Sequence, residues 1–381
     1  MTKSMMMAGV LLATVIGAAG SVGAGEVPEV GEAGGPLPGL STNELRHWLN
    51  GRVVFDRNFN SANGLGTPEL NADSCRACHQ DPVLGGAGGL ELNVSRFGRD
   101  HDGYGPFENL DGGQALSKLR PPGVEGRENY DPDMADVFEQ RQTPSALGAG
   151  LIDAIPDAVI MANADPDDLD GNGIRGVARL LTVAGEIEVG RFGWKAQVPH
   201  IGDFARDAMG GECGITTPSA GRGFALEVDS DTVADPELSQ ADLDDVIFFM
   251  AQLAPPARVG AMDPAVGRGE QLFHFMRCDM CHTPELEGPT GPVKLYSNLL
   301  LHDVMGSEYR GMAEEGAPSG YFRTPPLWGI RDTAPYMHDG RAETLVDAIA
   351  AHAGEAAGIA AGFASAPVDE QDALLAFLRD L

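Results

Sequence analysis

Two short strings decide how this chain is read: Cys75-Arg76-Ala77-Cys78-His79 and Cys278-Asp279-Met280-Cys281-His282. Each places two thiols three positions apart and an imidazole directly after the second. This is the pattern of c-type haem attachment, in which the thiols take the porphyrin vinyl groups and the histidine takes the iron. Cys75, Cys78, Cys278 and Cys281 are therefore expected to anchor two haem c groups, with His79 and His282 as proximal ligands. Chance can produce such a string once, but two in 381 residues point to a redox protein. Only Cys213 is left over, which argues against a disulfide framework, and it is expected as a small buried side chain.

The composition sets the context. Lys3, an apolar run from Met5 to Ala19 and the small residues ending Val22-Gly23-Ala24 fit a cleaved export signal over residues 1–24. The expected location is the periplasm. The run is short for a bilayer span and contains Gly9 and Gly17, and no other stretch is long enough, so a soluble protein without membrane anchor is expected. A formal charge of -30 argues against nucleic acid as a partner and would steer in a basic electron donor. With 51 glycines and 26 prolines, long ordered loops around modest helices are expected.

Periodicity supplies the organisation. A helix starting near Pro264 carries Leu272, Phe273 and Met276 into the second string, and a comparable segment, Glu44 to Phe55, precedes the first. Ser239 with Asp242 caps a helix whose face is Leu243, Val246, Ile247 and Met250, and Pro255-Pro256 stops it. Leu374, Leu375, Phe377, Leu378 and Leu381 form the stripe of a final helix. The order haem string, loops, amphipathic helix thus occurs twice. The expected fold is mainly α, with two cytochrome c-like haem domains carrying long loops and insertions. Residues 25–254 form the first, with inserted loops between Tyr104 and Ile201; 255–264 are a linker, and 265–381 form the second. Arg323 and Arg341 are expected to neutralise haem propionates, since a buried carboxylate needs a counter-charge. Asp168, Asp170 and Asn172 make the odd-position start of a calcium loop. Its twelfth place holds Arg179 instead of glutamate, so an Asx-rich turn is the competing reading.

Four further strings carry a family resemblance: Leu147-Gly148-Ala149-Gly150-Leu151-Ile152-Asp153-Ala154-Ile155-Pro156, Gly190-Arg191-Phe192-Gly193-Trp194-Lys195, Tyr321-Phe322-Arg323-Thr324-Pro325-Pro326-Leu327-Trp328 and Pro335-Tyr336-Met337-His338-Asp339-Gly340-Arg341. With them the chain resembles the di-haem oxidoreductases, grouped as peroxidases or thiol oxidoreductases within the di-haem cytochrome c peroxidase and MauG-type superfamily. The resemblance implies paired haems, one storing charge and the other meeting oxidant. Relatives carry Met or Tyr as a distal ligand at the distance after the His-Asp-Gly turn where this chain has His352, which shares a helical face with Leu345 and Ala348. His352 is therefore the expected sixth ligand of the second iron, with His302 as competitor.

At the first iron the resemblance implies an openable position and a distal acid, for which Glu212 stands in roughly the right place; His101 or His200 would close that position instead. Trp194, with Trp328 as alternative, corresponds to an indole relay between porphyrins, and Tyr336 could carry a radical or pack. His338 is expected to give its ring proton to Asp339. A calcium held between the haems by backbone oxygens near Thr324-Pro325 is also implied. The leading expectation is peroxide reduction at the His79 haem, with electrons relayed through the His282 haem from a small cytochrome c or cupredoxin, or from a protein substrate in the MauG manner. The alternative is a non-catalytic di-haem electron-transfer protein. Thiol oxidation rests on the family label alone.

Overall fold

The computed structural model of the chain describes residues 26–66, 70–100, 105–110, 134–260 and 262–381. The export-signal reading of 1–24 and His101 fall outside them. The first helix, α1 (Thr42–Phe55), starts at Ser41, whose side chain accepts from Glu44 N while Glu44 reaches back to the cap. A single turn, α2 (Cys75–Cys78), carries the first thiols. Then come β1 (Val94–Gly98), β2 (Val137–Arg141), α3 (Ala149–Asp153), α4 (Asp157–Met161), β3 (Leu180–Val183), β4 (Glu186–Val189) and α5 (Ile201–Ala208). The Ser239 cap accepts from Asp242 N and starts α6 (Gln240–Ala251).

Asp263 and Pro264 open α7 (Pro264–Phe275), proline being suited to the first helical position because its missing N–H has no intrahelical acceptor there. The strands β5 (Leu286–Gly288), β6 (Gly291–Val293), β7 (Leu301–Asp303) and β8 (Tyr321–Arg323) precede α8 (Leu345–Ala350), α9 (Ala357–Ser365) and α10 (Val368–Asp380). The fold is mainly helical, and the strands form small antiparallel pairs: β1 with β2, β3 with β4, β5 with β6, β7 with β8. Among the described residues no helix is long and apolar enough to cross a membrane.

Two helix pairs organise the chain, and they are built alike. In one, α1 crosses α6; in the other, α7 crosses α10. Each crossing is close because a glycine sits at it. A Cβ on Gly51 would fall against the backbone carbonyl of Asp245, and one on Gly269 against that of Ala373. Each pair also aims an aromatic ring at a haem-string histidine. Phe55 packs on Phe249 (5.1 Å between centroids) and reaches His79 (6.1 Å). Phe273 packs on Phe377 (5.3 Å) and reaches His282 (6.5 Å). One hydrophobic cluster surrounds Trp48, Phe55 and Phe249, the other Phe273 and Phe377. The first also takes in Leu286, Leu295, Leu299 and Leu300, so chain beyond the second string is packed against the first helix pair.

The crossing geometry separates two glycines of α7. Gly267→Ala meets open space on an exposed helical position and is expected to stabilise the protein by up to about 1 kcal/mol. Gly269→Ala is expected to destabilise it by about 1–3 kcal/mol, read as opposite shifts of the urea midpoint. Equal shifts would show that the α7–α10 contact does not depend on the missing side chain.

Candidate functional site

One continuous cavity of about 840 Å³ runs between the helix pairs, and its wall contains both Cys-Cys-His sets. In each set the imidazole is oriented by a backbone carbonyl: His79 Nδ1 lies 3.1 Å from Gly86 O, and His282 Nδ1 lies 3.1 Å from Tyr296 O. A hydrogen on Nδ1 leaves Nε2 with its lone pair for a ligand, the usual second-shell device at metal-binding histidines. Burial pushes the His79 imidazole down and the His282 imidazole down to about 3, so both are neutral at neutral pH. Burial pushes the Cys75, Cys278 and Cys281 thiols up to about 12, so they meet the cavity as neutral sulfur. Flat apolar walls, paired neutral thiols and an oriented imidazole with a free nitrogen fit a thioether-linked, histidine-ligated haem at each end.

The remaining histidines differ in what their nitrogens do. His352 lies just past the end of α8 and lines the cavity; its Nδ1 is 2.7 Å from Ala348 O, which leaves Nε2 available. His302 has neither nitrogen to spare, with Asn298 Nδ2 at 3.0 Å on Nε2 and Glu355 Oε2 at 3.1 Å on Nδ1. His200 is likewise held on both sides, by Asp153 at 2.9 Å and Glu188 at 3.2 Å, away from the cavity wall. His338 lines the cavity, but its Nε2 contacts the Tyr309 hydroxyl at 2.8 Å and is 3.9 Å from Asp339. The Asp339 pairing expected from the turn is thus replaced, because Asp339 is taken by Arg341 through two guanidinium nitrogens (2.9 and 2.6 Å).

Glu212 also faces the cavity, next to Cys213. It sits in a π-helical turn, Met209–Cys213, that widens the end of α5, and its backbone oxygen accepts from Asn71 N and Ala72 N. Trp194 and Trp328 both line the cavity, and Trp194 Nε1 donates to Gln142 O at 2.8 Å. Arg323 is buried in the wall, where it donates to Gly193 O (3.0 Å) and Thr324 O (3.2 Å); burial pushes it down to about 10, and among the described residues it has no carboxylate partner. Arg341 is not part of the wall. It is 40 % exposed and lies over the Tyr309 ring.

Asp165, Asp168 and Asp170 come together as a carboxylate group, but their oxygens accept from the loop's own amides, and Asn172 Nδ2 donates to Asp170. These are the bonds of an Asx-rich turn. The Thr324 backbone oxygen is already occupied by Ser297 Oγ at 2.7 Å.

Sequence reasoning missed a buried charge cluster. Arg96, Arg141 and Arg179 converge on Glu314 at 3.4, 2.7 and 2.7 Å, and Glu139 takes Arg141 at 2.7 Å. Burial opposes ionisation of Glu314, but the three guanidinium groups outweigh it and hold the carboxyl well below its usual range. Asp207, on α5, is exposed to the cavity, and the protein around it pushes its carboxyl up against the pull of Arg96. Lys195 is fully buried, donating to Pro318 O (2.8 Å) and Ser319 O (2.7 Å). Nothing in the local sequence separates these charges from surface ones. The alternating burial of β2, which turns Glu139 and Arg141 inward, appears only once β1 is paired with it.

A sequence-family model described as "Di-haem oxidoreductase, putative peroxidase" matches residues 130–381. No curated protein sequence matches the chain. Among solved structures, hydrazine synthase of Kuenenia stuttgartiensis aligns at 16% identity over 97% of this chain and 100% of that one, with a TM-score of 0.41. A MauG-like protein associated with microbial copper homeostasis aligns at 17% identity over 94% of this chain and 95% of that one, with a TM-score of 0.42.

The nitrogen assignments distinguish two substitutions. His352→Met is expected to convert one bis-histidine signal in the electron paramagnetic resonance spectrum of the haem-loaded protein, whereas His302→Gln leaves the spectrum in place. The reverse pattern would transfer the ligand to His302.

Proposed function

The chain belongs to the di-haem oxidoreductase family, and we propose that it is a periplasmic oxidoreductase of peroxidase type with two haem c groups in cytochrome c-like halves, residues 25–254 and 265–381, joined by 255–264. The observation that supports this reading is the shared cavity: both Cys-Cys-His sets open onto one space, which would bring two haems held there into the same cavity. Haem bound at these sites supplies one-electron iron chemistry and, at an open coordination position, reaction with hydrogen peroxide.

The residues divide that work. At the second site His282 and His352 offer two imidazoles, an arrangement suited to electron transfer. At the first, the side chains grouped with Cys75 and Cys78 on the wall are Glu212 and Cys213, and His200 is held by Asp153 and Glu188 away from it, which supports an open position there. Peroxide reduction to water consumes two protons and two electrons. Glu212 is assigned as the acid that moves a proton between the peroxide oxygens, and Trp194 as the relay at the cavity wall. Arg323, a buried cation lacking a carboxylate, is assigned to a haem propionate. The electron donor is a small cytochrome c or cupredoxin.

Glu212→Gln is expected to retain both haems and to slow peroxide reduction by about 10²–10⁴-fold, the range for loss of a positioned acid–base group, as read by stopped-flow haem absorbance. Unchanged turnover would remove Glu212 from this role and leave Asp207, a second carboxyl on the cavity wall carried by α5, to be tested by Asp207→Asn. Failure of the unaltered, fully loaded protein to consume peroxide would reject the peroxidase reading.

A further inference from the structure

We propose that Tyr309 is a redox-active tyrosine with His338 as its proton acceptor, standing at the outer end of an aromatic path that begins on the cavity wall. A tyrosine gives up an electron readily only if the phenolic proton has somewhere to go at the same moment, because the protonated radical is very strongly acidic. The geometry meets that condition. Tyr309 Oη and His338 Nε2 are 2.8 Å apart, within the range for direct proton transfer. The His338 ring is buried, with 2% of its surface exposed, so no bulk water competes for the contact.

This pairing sets Tyr309 apart from the other described tyrosines. The Tyr296 hydroxyl donates to Glu270, that of Tyr336 to the Ile330 carbonyl, and Tyr321 is paired with Arg175. None of these contacts is an imidazole. The Tyr309 hydroxyl also donates to Glu139 Oε2 at 3.2 Å, so its single proton is shared between that carboxylate and the nearer His338 Nε2. That carboxylate is the poorer acceptor: Arg141 and Lys195 outweigh the effect of burial and hold it below its usual range, and Oε2 also accepts from Met312 N. Burial keeps the His338 imidazole neutral, so its lone pair is available, with Asp339, Glu139, Arg341 and Lys195 as the charges around it.

The path for the electron is made of rings. Trp194, Phe322 and His338 line the cavity. Phe322 stacks on His338 at 3.9 Å, Trp194 stands edge-on to His338 at 6.5 Å, and Tyr309 lies 5.6 Å from His338 and 6.0 Å from Phe322. Tyr309 is one layer behind the wall and half-buried, with the exposed Arg341 over its ring at 5.5 Å. A hole formed at the cavity can therefore reach a ring that a donor or protein substrate can approach.

The step balances as follows. One electron leaves the Tyr309 ring towards an oxidant generated at the cavity by hydrogen peroxide. The phenolic O–H bond breaks, an N–H bond forms at His338 Nε2, and the products are a neutral phenoxyl radical and an imidazolium. A donor at the surface then returns the electron and the proton goes back. For its natural oxidant the inference rests on the peroxidase reading; the proton-coupled oxidation itself rests only on the Tyr309–His338 geometry.

The test uses the haem-loaded protein and keeps those two apart. Photogenerated ruthenium(III) tris-bipyridine supplies the oxidant without peroxide, and the radical is read by electron paramagnetic resonance after freeze-trapping. A tyrosyl signal is expected, with its fast-forming component absent in Tyr309→Phe and formed about a hundredfold more slowly in His338→Gln, as for loss of a positioned base. In the unaltered protein formation is expected to slow in heavy water, a readout that holds even if His338→Gln fails to fold. A signal unchanged in Tyr309→Phe, or no isotope effect, would overturn the proposal. Peroxide consumption is measured separately: photo-oxidation at Tyr309 without peroxide turnover would reject the peroxidase reading and leave this inference standing.

Discussion

The structure depends on keeping a mostly apolar space open between two helix pairs while fixing a sulfur–sulfur–imidazole set at each end of it. A cavity of about 840 Å³ is far larger than the gaps a protein core tolerates. The helix crossings at Gly51 and Gly269 hold the walls, and Phe55 and Phe273 hold the two histidines from behind. A space of this size fits groups as large as the haems that the family implies, and the paired thiols would fix them there covalently.

A second constraint is electrostatic. Arg96, Arg141, Arg179 and Arg323 contribute cations to the cavity wall, against Glu314, Glu212 and a carboxyl at Asp207 that its surroundings push up; in the layer behind, Lys195, which burial pushes down to about 7, lies near Glu139. Burying charge is costly unless a partner of opposite sign is close and well bonded. Glu314 meets that need for three arginines at once, but an excess of cation remains, clearest at Arg323. Haem propionates bring negative charge into such a site. The wall is thus complementary to the charged edges of the groups whose vinyl side its thiols would hold and whose iron its imidazoles would take.

Much of this was legible in the sequence because it is local. The Cys-x-x-Cys-His strings, the cap at Ser239 and the stripe Leu374–Leu381 each need only a few neighbouring residues to express their chemistry. The spacing places His352 on a helical face with Leu345 and Ala348; α8 ends at Ala350, and His352 lines the cavity from the turn just after it. What was not legible is pairing across long separations. His338 looks like a partner for Asp339 one residue away, yet Tyr309 takes its nitrogen and Arg341 takes the carboxylate. The inward charges of β1 and β2 depend on Glu314, more than 170 residues further on, and no periodicity reports that. The π-helical turn at Glu212 is similarly hidden, because it depends on how α5 meets the loop at Asn71.

The two ends of the cavity are not equivalent, and that asymmetry gives the shared space its use. Near His282 a second imidazole, His352, is tethered through Nδ1 to Ala348 O of α8. Near Cys75 and Cys78 the cavity is lined by α5 and the widened turn after it, which carry Asp207 and Glu212. A redox protein that only passed electrons would gain nothing from acids at one end and an excess of buried cations alongside. A protein that must combine electrons with protons needs both, together with a route for charge that avoids bulk water. Trp194, Phe322 and His338 lie along the wall on which such a route would run.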